Sequence, residues 1–293
     1  MPTSISAQAP AKINLTLEVL RKRPDDYHEV STILQTIDLW DHLTFTESDE
    51  TALECNVRGL EGPDNLALKA AQLLAGRVGV KRGVLIRLQK GIPVSAGLGG
   101  GSTDAAATLL ALDTLWELHL SRKTLSDLAA KLGSDVPFFL TGGTALAAGR
   151  GEQLKSLPAL PQTWLVLHTL DIPLPNKTAT MYNALAAHDY TDGSATEDAV
   201  EYVERGRRIP ADQMVNTFEK VAYRMFRGLD RDGNEMRNAG LEAVHIAGAG
   251  PTLFSVVSDR AQGDKAVQAL RAKGLQAWCV CTVQQAVTLQ SER

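Results

Sequence analysis

The sequence predicts an α+β fold built from two domains. Strand-like stretches outnumber what a helical bundle allows, and they mix with helices irregularly rather than alternating one to one. The chain has 293 residues, more than a single core usually serves. A Pro-rich patch, SLPALPQ, marks a boundary near residue 157 and divides the chain into 1–156 and 157–293.

The elements of the first half follow in order. AKINLTLEVL (11–20) alternates polar and apolar residues and reads as a strand half exposed to solvent. The charged stretch RKRPDDYHEV carries a turn signal at Pro24-Asp25-Asp26. STILQTIDLWDHLTFTE supplies one or two further strands, and TALECNVRG another. GPDNLALKAAQLLAGRVG is helical, with Asp64 or Asn65 as its cap and Leu66, Ala70, Leu73 and Leu74 as its stripe. GVLIRLQKGIP is a strand that Gly91 and Pro93 stop. After a glycine-rich stretch, Ala105, Leu109, Leu112 and Trp116 mark one face of a helix over 103–118. SRKTLSDLAAKLG is a second helix, started by Ser121 or Thr124 and closed by Gly133. SDVPFFLTGGTALAAGRGEQLKSLP reads as a turn, a strand or short helix, and a hairpin turning at Gly142-Gly143.

The second half opens on the apolar strand TWLVLHTL. Helical patterns follow around 177–187, 196–205 and 214–229. The strand EAVHIAG leads into a second glycine turn, Gly248-Ala249-Gly250-Pro251, and then the strand TLFSVVS. The helix RAQGDKAVQALRAKG and the strand AWCVCTV close the pattern.

A net charge of -4 and the absence of Lys/Arg clusters beside aromatics argue against a nucleic-acid partner. Three cysteines, Cys55, Cys279 and Cys281, cannot form a disulfide framework, and no ligand spacing suggests a zinc site. They read as small buried apolar residues in a reducing compartment. The N-terminus lacks the basic-then-apolar pattern of a signal peptide, and no apolar run is long enough to cross a membrane. A cytoplasmic protein without a membrane partner is expected.

The stretch PVSAGLGGGSTDAAA (93–107) carries the chemistry. Backbone N–H groups can hold a phosphate only where they converge, and glycine lets an oxygen approach with no Cβ in the way. A helix N-terminus behind the loop adds unpaired N–H groups and a partial positive charge. Walker A is excluded because no Lys follows the glycines; the dinucleotide fingerprint fails because Ser102 stands at its third glycine. Ser102 and Thr103 can donate hydroxyls to a phosphate, help hold a cation, or cap the helix.

The pattern P-x-x-x-G-L-G-G-G-S-[ST]-x-A-A resembles the phosphate loop of the GHMP kinases. The resemblance covers nearly the whole chain. Through APAKINLTL (9–17), DDYHEV (25–30), DNLALKAA (64–71), LGSDVPFFL (132–140) and KTATMY (177–182) it narrows to members acting on a cytidine diphosphate-linked methylerythritol. It implies a two-domain fold with the active site in the cleft between domains. It also implies ATP, Mg²⁺, a small-molecule substrate, and a monomer or weak homodimer.

On the family pattern the residues from Pro93 to Thr103 would hold the nucleotide: Pro93, Val94, Ser95, Ala96, Gly97, Leu98, Gly99, Gly100, Gly101, Ser102 and Thr103. Asn65 matches a position near the adenine, although a plain helix cap explains it equally. Asp135 matches the catalytic carboxylate, as a base or as an orienting group, and Lys12 matches its partner. Strand alternation puts Lys12 and Asn14 on one face, opposite Ile13 and Leu15. Tyr27 and Tyr182 would stack on the cytosine, His28 would read its edge, and Asn14 and Thr178 would add polar contacts. Alanines stand in the turn 247–252 where the family often has serines, and Thr217 departs from the usual pattern. A backbone contact from that turn is expected, without a hydroxyl.

Overall fold

The computed structural model describes residues 4–172 and 176–292. The first half is built on two long antiparallel strands, β1 (Ser4–Lys22) and β2 (His28–Ser48). β4 (Gly83–Gln89), followed outward by β3 (Ala52–Cys55), pairs alongside the C-terminal part of β2, and β5 (Thr144–Ala148), followed by β6 (Gln153–Ser156), alongside its N-terminal part. α1 (Leu66–Val78), α2 (Gly100–Leu115), α3 (Arg122–Leu132) and the single turn α4 (Val136–Phe139) pack with this sheet in one core.

β7 (Trp164–His168) starts the second sheet. α5 (Lys177–Asn183), α6 (Ser194–Glu204), α7 (Glu219–Met225) and α8 (Leu229–Asn238) follow. β8 (His245–Ile246), β9 (Leu253–Val257), α9 (Arg260–Ala272) and β10 (Ala277–Cys281) complete that sheet in the order β10-β7-β9-β8. The chain then returns: β11 (Thr288–Glu292) pairs antiparallel with β1 in the first sheet.

Several expectations need correction. β1 is not half exposed; Lys12, Asn14 and Thr16 are buried together with Ile13 and Leu15. Its polar face lines a cleft and touches α6, and its apolar face meets the second sheet. Of the one or two strands expected in STILQTIDLWDHLTFTE, there is one. α2 begins at Gly100, three residues early, with Gly99 as its cap and no side-chain cap bond. The hairpin turn lies at Gly149–Glu152 between β5 and β6, not at Gly142-Gly143, which joins α4 to β5. AWCVCTV is not the last strand, and α8 was not anticipated in LDRDGNEMRN, where Leu229, Gly233 and Met236 give only a sparse buried stripe. Of the cysteines only Cys281 is buried.

One irregularity matters for the site. Ile5, Ala7 and Ala9 pack into the core that holds α1 to α4. Ala11, Ile13 and Leu15, of the same parity, pack instead against Leu165, Leu167 and Phe254 of the second sheet. The register of β1 against β2 shifts between Pro10 and Ala11. Asp38 and Leu39 are extra residues on β2 there; from Ala11 on, the odd-numbered apolar side chains enter the junction between the sheets, while Lys12 and Asn14 line the cleft.

Candidate active site

A cleft of about 890 Å³ runs along this face. Its wall includes Lys12, Asn14, Asn65, the stretch from Pro93 to Ser102, Asp135, Thr178 and Tyr182. Elements from both halves of the chain therefore converge on one cavity.

The glycine loop joins β4 to α2. Gly99 has φ 77°, and a Cβ there would lie 2.7 Å from Phe139 and 3.0 Å from Cγ of Lys12. Only glycine fits where the loop passes Lys12 so closely. Behind Gly99 the first N–H groups of α2 have no carbonyl partner within the helix and face the loop. Leu98 accepts a hydrogen bond from the Lys12 backbone N–H at 2.9 Å, which fixes the loop against β1. Thr103, expected among the ligand contacts, is fully buried and does not line the cleft; its Oγ1 has no hydrogen-bond partner among the described residues.

Lys12 Nζ stands 3.4 Å from Asp135 Oδ2 and donates to Asn14 Oδ1 at 2.8 Å. Asn14 in turn donates to Thr32 Oγ1 at 2.8 Å. Asp135 sits at the N-cap of α4 but makes no side-chain cap bond, so its carboxylate is not spent on the turn. The lysine side chain is 5% exposed and the carboxylate 37%, so the pair spans from the strand interior to the open cleft.

His28 stacks on Tyr182, ring centroids 4.8 Å apart and planes at 26°. Its Nε2 lies 3.3 Å from the hydroxyl of Tyr190. Burial and the nearby Lys22 charge push its pKa down. Tyr27 is exposed and lies under the Arg150 guanidinium, 4.5 Å from ring centroid to carbon. Neither Tyr27 nor His28 lines the cleft; Tyr182 and Arg150 do. Asn65 caps α1, accepting from the Ala67 N–H at 2.8 Å and donating to the Leu60 carbonyl at 2.8 Å, while also lining the cleft.

Three features escaped the sequence reading. Arg150 comes from the β5–β6 turn, and nothing in GRGE marks it as facing a cavity. Lys177, the first residue of α5, donates to the backbone carbonyl of Ser95 at 2.8 Å and to that of Gly250. Under the loop, Lys90 bonds both Asp41 and Asp104, the latter at 2.8 Å. Asp41 also accepts the N–H groups of Gly91 and Ile92 at 2.8 and 2.9 Å. Burial, opposed by Lys90 and assisted by the Asp41 charge, pushes Asp104 up to about 8. The turn at 247–250 does reach the site: Gly248 and Ala249 line the cleft, and Asn216 Nδ2 holds the turn through the carbonyls of Ile246 and Gly248 at 2.7 and 2.9 Å.

Residues 65–143 match the GHMP kinases N terminal domain, and residues 199–276 match the GHMP kinases C terminal. The chain belongs to the GHMP kinase family. A 4-diphosphocytidyl-2-C-methyl-D-erythritol kinase of Bacillus subtilis is 42% identical over 272 residues, covering 91% of this chain and 93% of that protein. One of the same name from Dehalococcoides mccartyi is 39% identical, covering 94% and 97%. A crystal structure of 4-(cytidine 5'-diphospho)-2C-methyl-D-erythritol kinase superposes with a TM-score of 0.80 at 37% identity, covering 94% of this chain and 98% of its own. A homoserine kinase from Cytophaga hutchinsonii shares the fold, with a TM-score of 0.73 at 18% identity, covering 99% and 98%. Family membership makes ATP the phosphate donor. Among the described residues no helix is long and apolar enough to cross a membrane.

Proposed function

We propose that this enzyme transfers the γ-phosphoryl group of ATP to the 2-hydroxyl of 4-diphosphocytidyl-2-C-methyl-D-erythritol, giving the 2-phosphate and ADP. The observation that carries the reading is the Lys12–Asp135 pair at 3.4 Å, between the glycine loop and the helix bearing Thr178 and Tyr182. The names of the relatives support the acceptor.

Phosphoryl transfer asks the protein to hold the donor, neutralise charge and aim the acceptor. The loop from Pro93 to Ser102 and the start of α2 would bind the phosphates through backbone N–H groups. The acceptor oxygen forms its bond to the γ-phosphorus as the bond to the ADP oxygen breaks. Asp135 receives the hydroxyl hydrogen bond and is positioned to take the proton. Lys12 steadies the charge on the oxygens in transit. Asn14, held by Thr32, keeps Lys12 in place and offers a polar contact to the acceptor. Tyr182 supplies an aromatic wall, backed by His28, for a planar base, and Tyr27 with Arg150 lies at the same end.

Mg²⁺ suits the donor set as an ion carried in by the nucleotide. It needs only one or two protein oxygens beside phosphates and waters. Ser102 lines the cleft, and Asp104 Oδ1 is buried without a hydrogen-bond partner. Among the described residues no group of three His, Cys, Asp or Glu could form a cage. The bound ion would neutralise phosphate charge.

An ADP-release assay tests the function across this acceptor, mevalonate and homoserine, repeated with Asp135→Asn. Turnover confined to the cytidyl acceptor and lost in Asp135→Asn is expected. No turnover with that acceptor, or a variant equal to wild type, overturns the reading.

A further inference from the structure

A glycine loop without its own lysine leaves a charge problem. A triphosphate brings several negative charges, and the loop supplies only backbone dipoles. The cations must come from elsewhere, and Lys12 is one of them. The structure places a second ammonium beside it on α5, from the other half of the chain.

We propose that Lys177 is a phosphate-gripping residue of this kinase: its ammonium clamps the glycine loop to the turn at 247–250 and presents its remaining N–H to the terminal phosphate of ATP. The proposal rests on the kinase reading above. An ammonium has three N–H donors. Two go to the carbonyls of Ser95, within the loop, and Gly250, within the facing turn. The two backbones meet closely here, since a Cβ on Gly97 would lie 2.7 Å from the Ala247 carbonyl oxygen and 2.9 Å from that of Gly250. Lys177 therefore sits across the seam between them, on the cleft wall.

The charge balance points to an anion. Among the described residues no carboxylate forms an ion pair with Lys177, and backbone carbonyls are its hydrogen-bond partners. The groups that act on it are Lys12 from β1 and Asp135 ahead of α4. Two ammoniums share one carboxylate, so the site carries surplus positive charge in a partly desolvated place. Burial and the Lys12 charge together pull Lys177 down to about 8, against the attraction of Asp135. A terminal phosphate, with more charge than the bridging phosphates, relieves that surplus. Tyr182, on the same helix, does not titrate in this range, because burial and the Asp135 charge push its phenol up.

The test compares Lys177→Met and Lys177→Arg with wild type in ATP and ADP titrations without acceptor, and in steady-state kinetics across pH. In Lys177→Met, ATP binding should weaken about 10–100-fold, the loss of one charged hydrogen bond, with ADP binding changed less than about threefold. Its kcat should fall about 10²-fold. The sign of the pH effect follows from protonation: below pH 8 the ammonium is charged and competent, and above it the charge is lost. Wild-type kcat/KM for ATP, which reports the free enzyme, should therefore fall above about pH 8. Lys177→Arg should hold it level, because guanidinium stays charged. Equal losses of ATP and ADP affinity would show a mere structural prop and overturn the proposal. So would ATP affinity within about threefold of wild type, or an alkaline fall that persists in Lys177→Arg. If Lys177→Met does not fold, the Arg profile decides. A wild type that binds ATP but turns over no acceptor would overturn the acceptor assignment alone, and the ATP-to-ADP contrast would still judge Lys177.

Discussion

Gly97→Ala should destabilise this protein, whereas Gly101→Ala, four residues on at the start of α2, should not. Gly97 has φ 86°, in the left-handed region, where a side chain costs about 1–2 kcal/mol. Its new Cβ would lie 2.7 Å from one backbone carbonyl oxygen and 2.9 Å from another, those of Ala247 and Gly250. Neither oxygen belongs to a side chain that can swing away. Relieving the overlap means moving the two loops apart, an overpacking cost of about 1–3 kcal/mol. The sum is about 2–5 kcal/mol, or a fall of about 4–20 °C in Tm at the usual size scaling. Gly101 lies in the first turn of α2, its nearest atom to a new Cβ is Leu66 Cδ1 at 3.5 Å, and no positive φ applies. Alanine there gains helix propensity of up to about 1 kcal/mol. Thermal unfolding of the nucleotide-free protein reads both. A Gly97→Ala protein melting within 1 °C of wild type, or a Gly101→Ala protein melting lower than Gly97→Ala, would refute the close approach of the two loops.

Lys12→Met should lower kcat about 10²–10³-fold in the ADP-release assay, as loss of a preorganised charged donor does. Asn65→Ala should lower stability by about 1 kcal/mol through loss of the α1 cap, measured by urea unfolding. Asp41→Ala should cost about 3–5 kcal/mol in the same assay, because Lys90 loses a partner and two backbone N–H groups lose their acceptor. Asp104→Asn should be mild and should flatten a pH dependence. A carboxyl raised to about 8 in the folded state holds its proton there, so its stabilising contribution is full below about pH 4 and is lost as pH rises to 8. Unfolding free energy of wild type should fall between pH 5 and 8 relative to that of Asp104→Asn; parallel curves would contradict a proton held at Asp104.

The parts legible in the sequence are those that local patterns specify. Periodicity marked α1, α3 and α9, and Ser121 and Asn65 are the caps of α3 and α1. The glycine loop was visible because its composition is abnormal for any other purpose. Contacts across the fold were not. β1 reads as amphipathic, and only the second sheet, far along the chain, makes it buried on both faces. The five residues of β11 are mostly polar and reveal nothing until β1 offers an edge. The register shift after Pro10, where β2 carries Asp38 and Leu39 as extra residues, leaves no local signal. Tyr27 and Tyr182 look like a matched pair of rings, but Tyr182 stacks with His28 and Tyr27 with Arg150.

The distribution of charge in the cleft has a consequence for how the site assembles. A Walker loop carries its lysine within the same turn that binds the phosphates. Here the loop carries none, and the two ammoniums arrive on β1 and α5. Lys12 sits on β1 in the first sheet and is tied to the loop through the backbone of Leu98. Lys177 is placed by a helix of the second half and tied to the same loop through Ser95. Each contact fastens the loop from a different side, so charge and loop geometry are coupled. Any shift of α5 relative to β1 would move one cation away from the phosphates and release one anchor of the loop together. The donor site is therefore complete only when both halves of the chain hold the loop. Asp135, 3.4 Å from Lys12 Nζ on the same cleft wall, belongs to that arrangement as well.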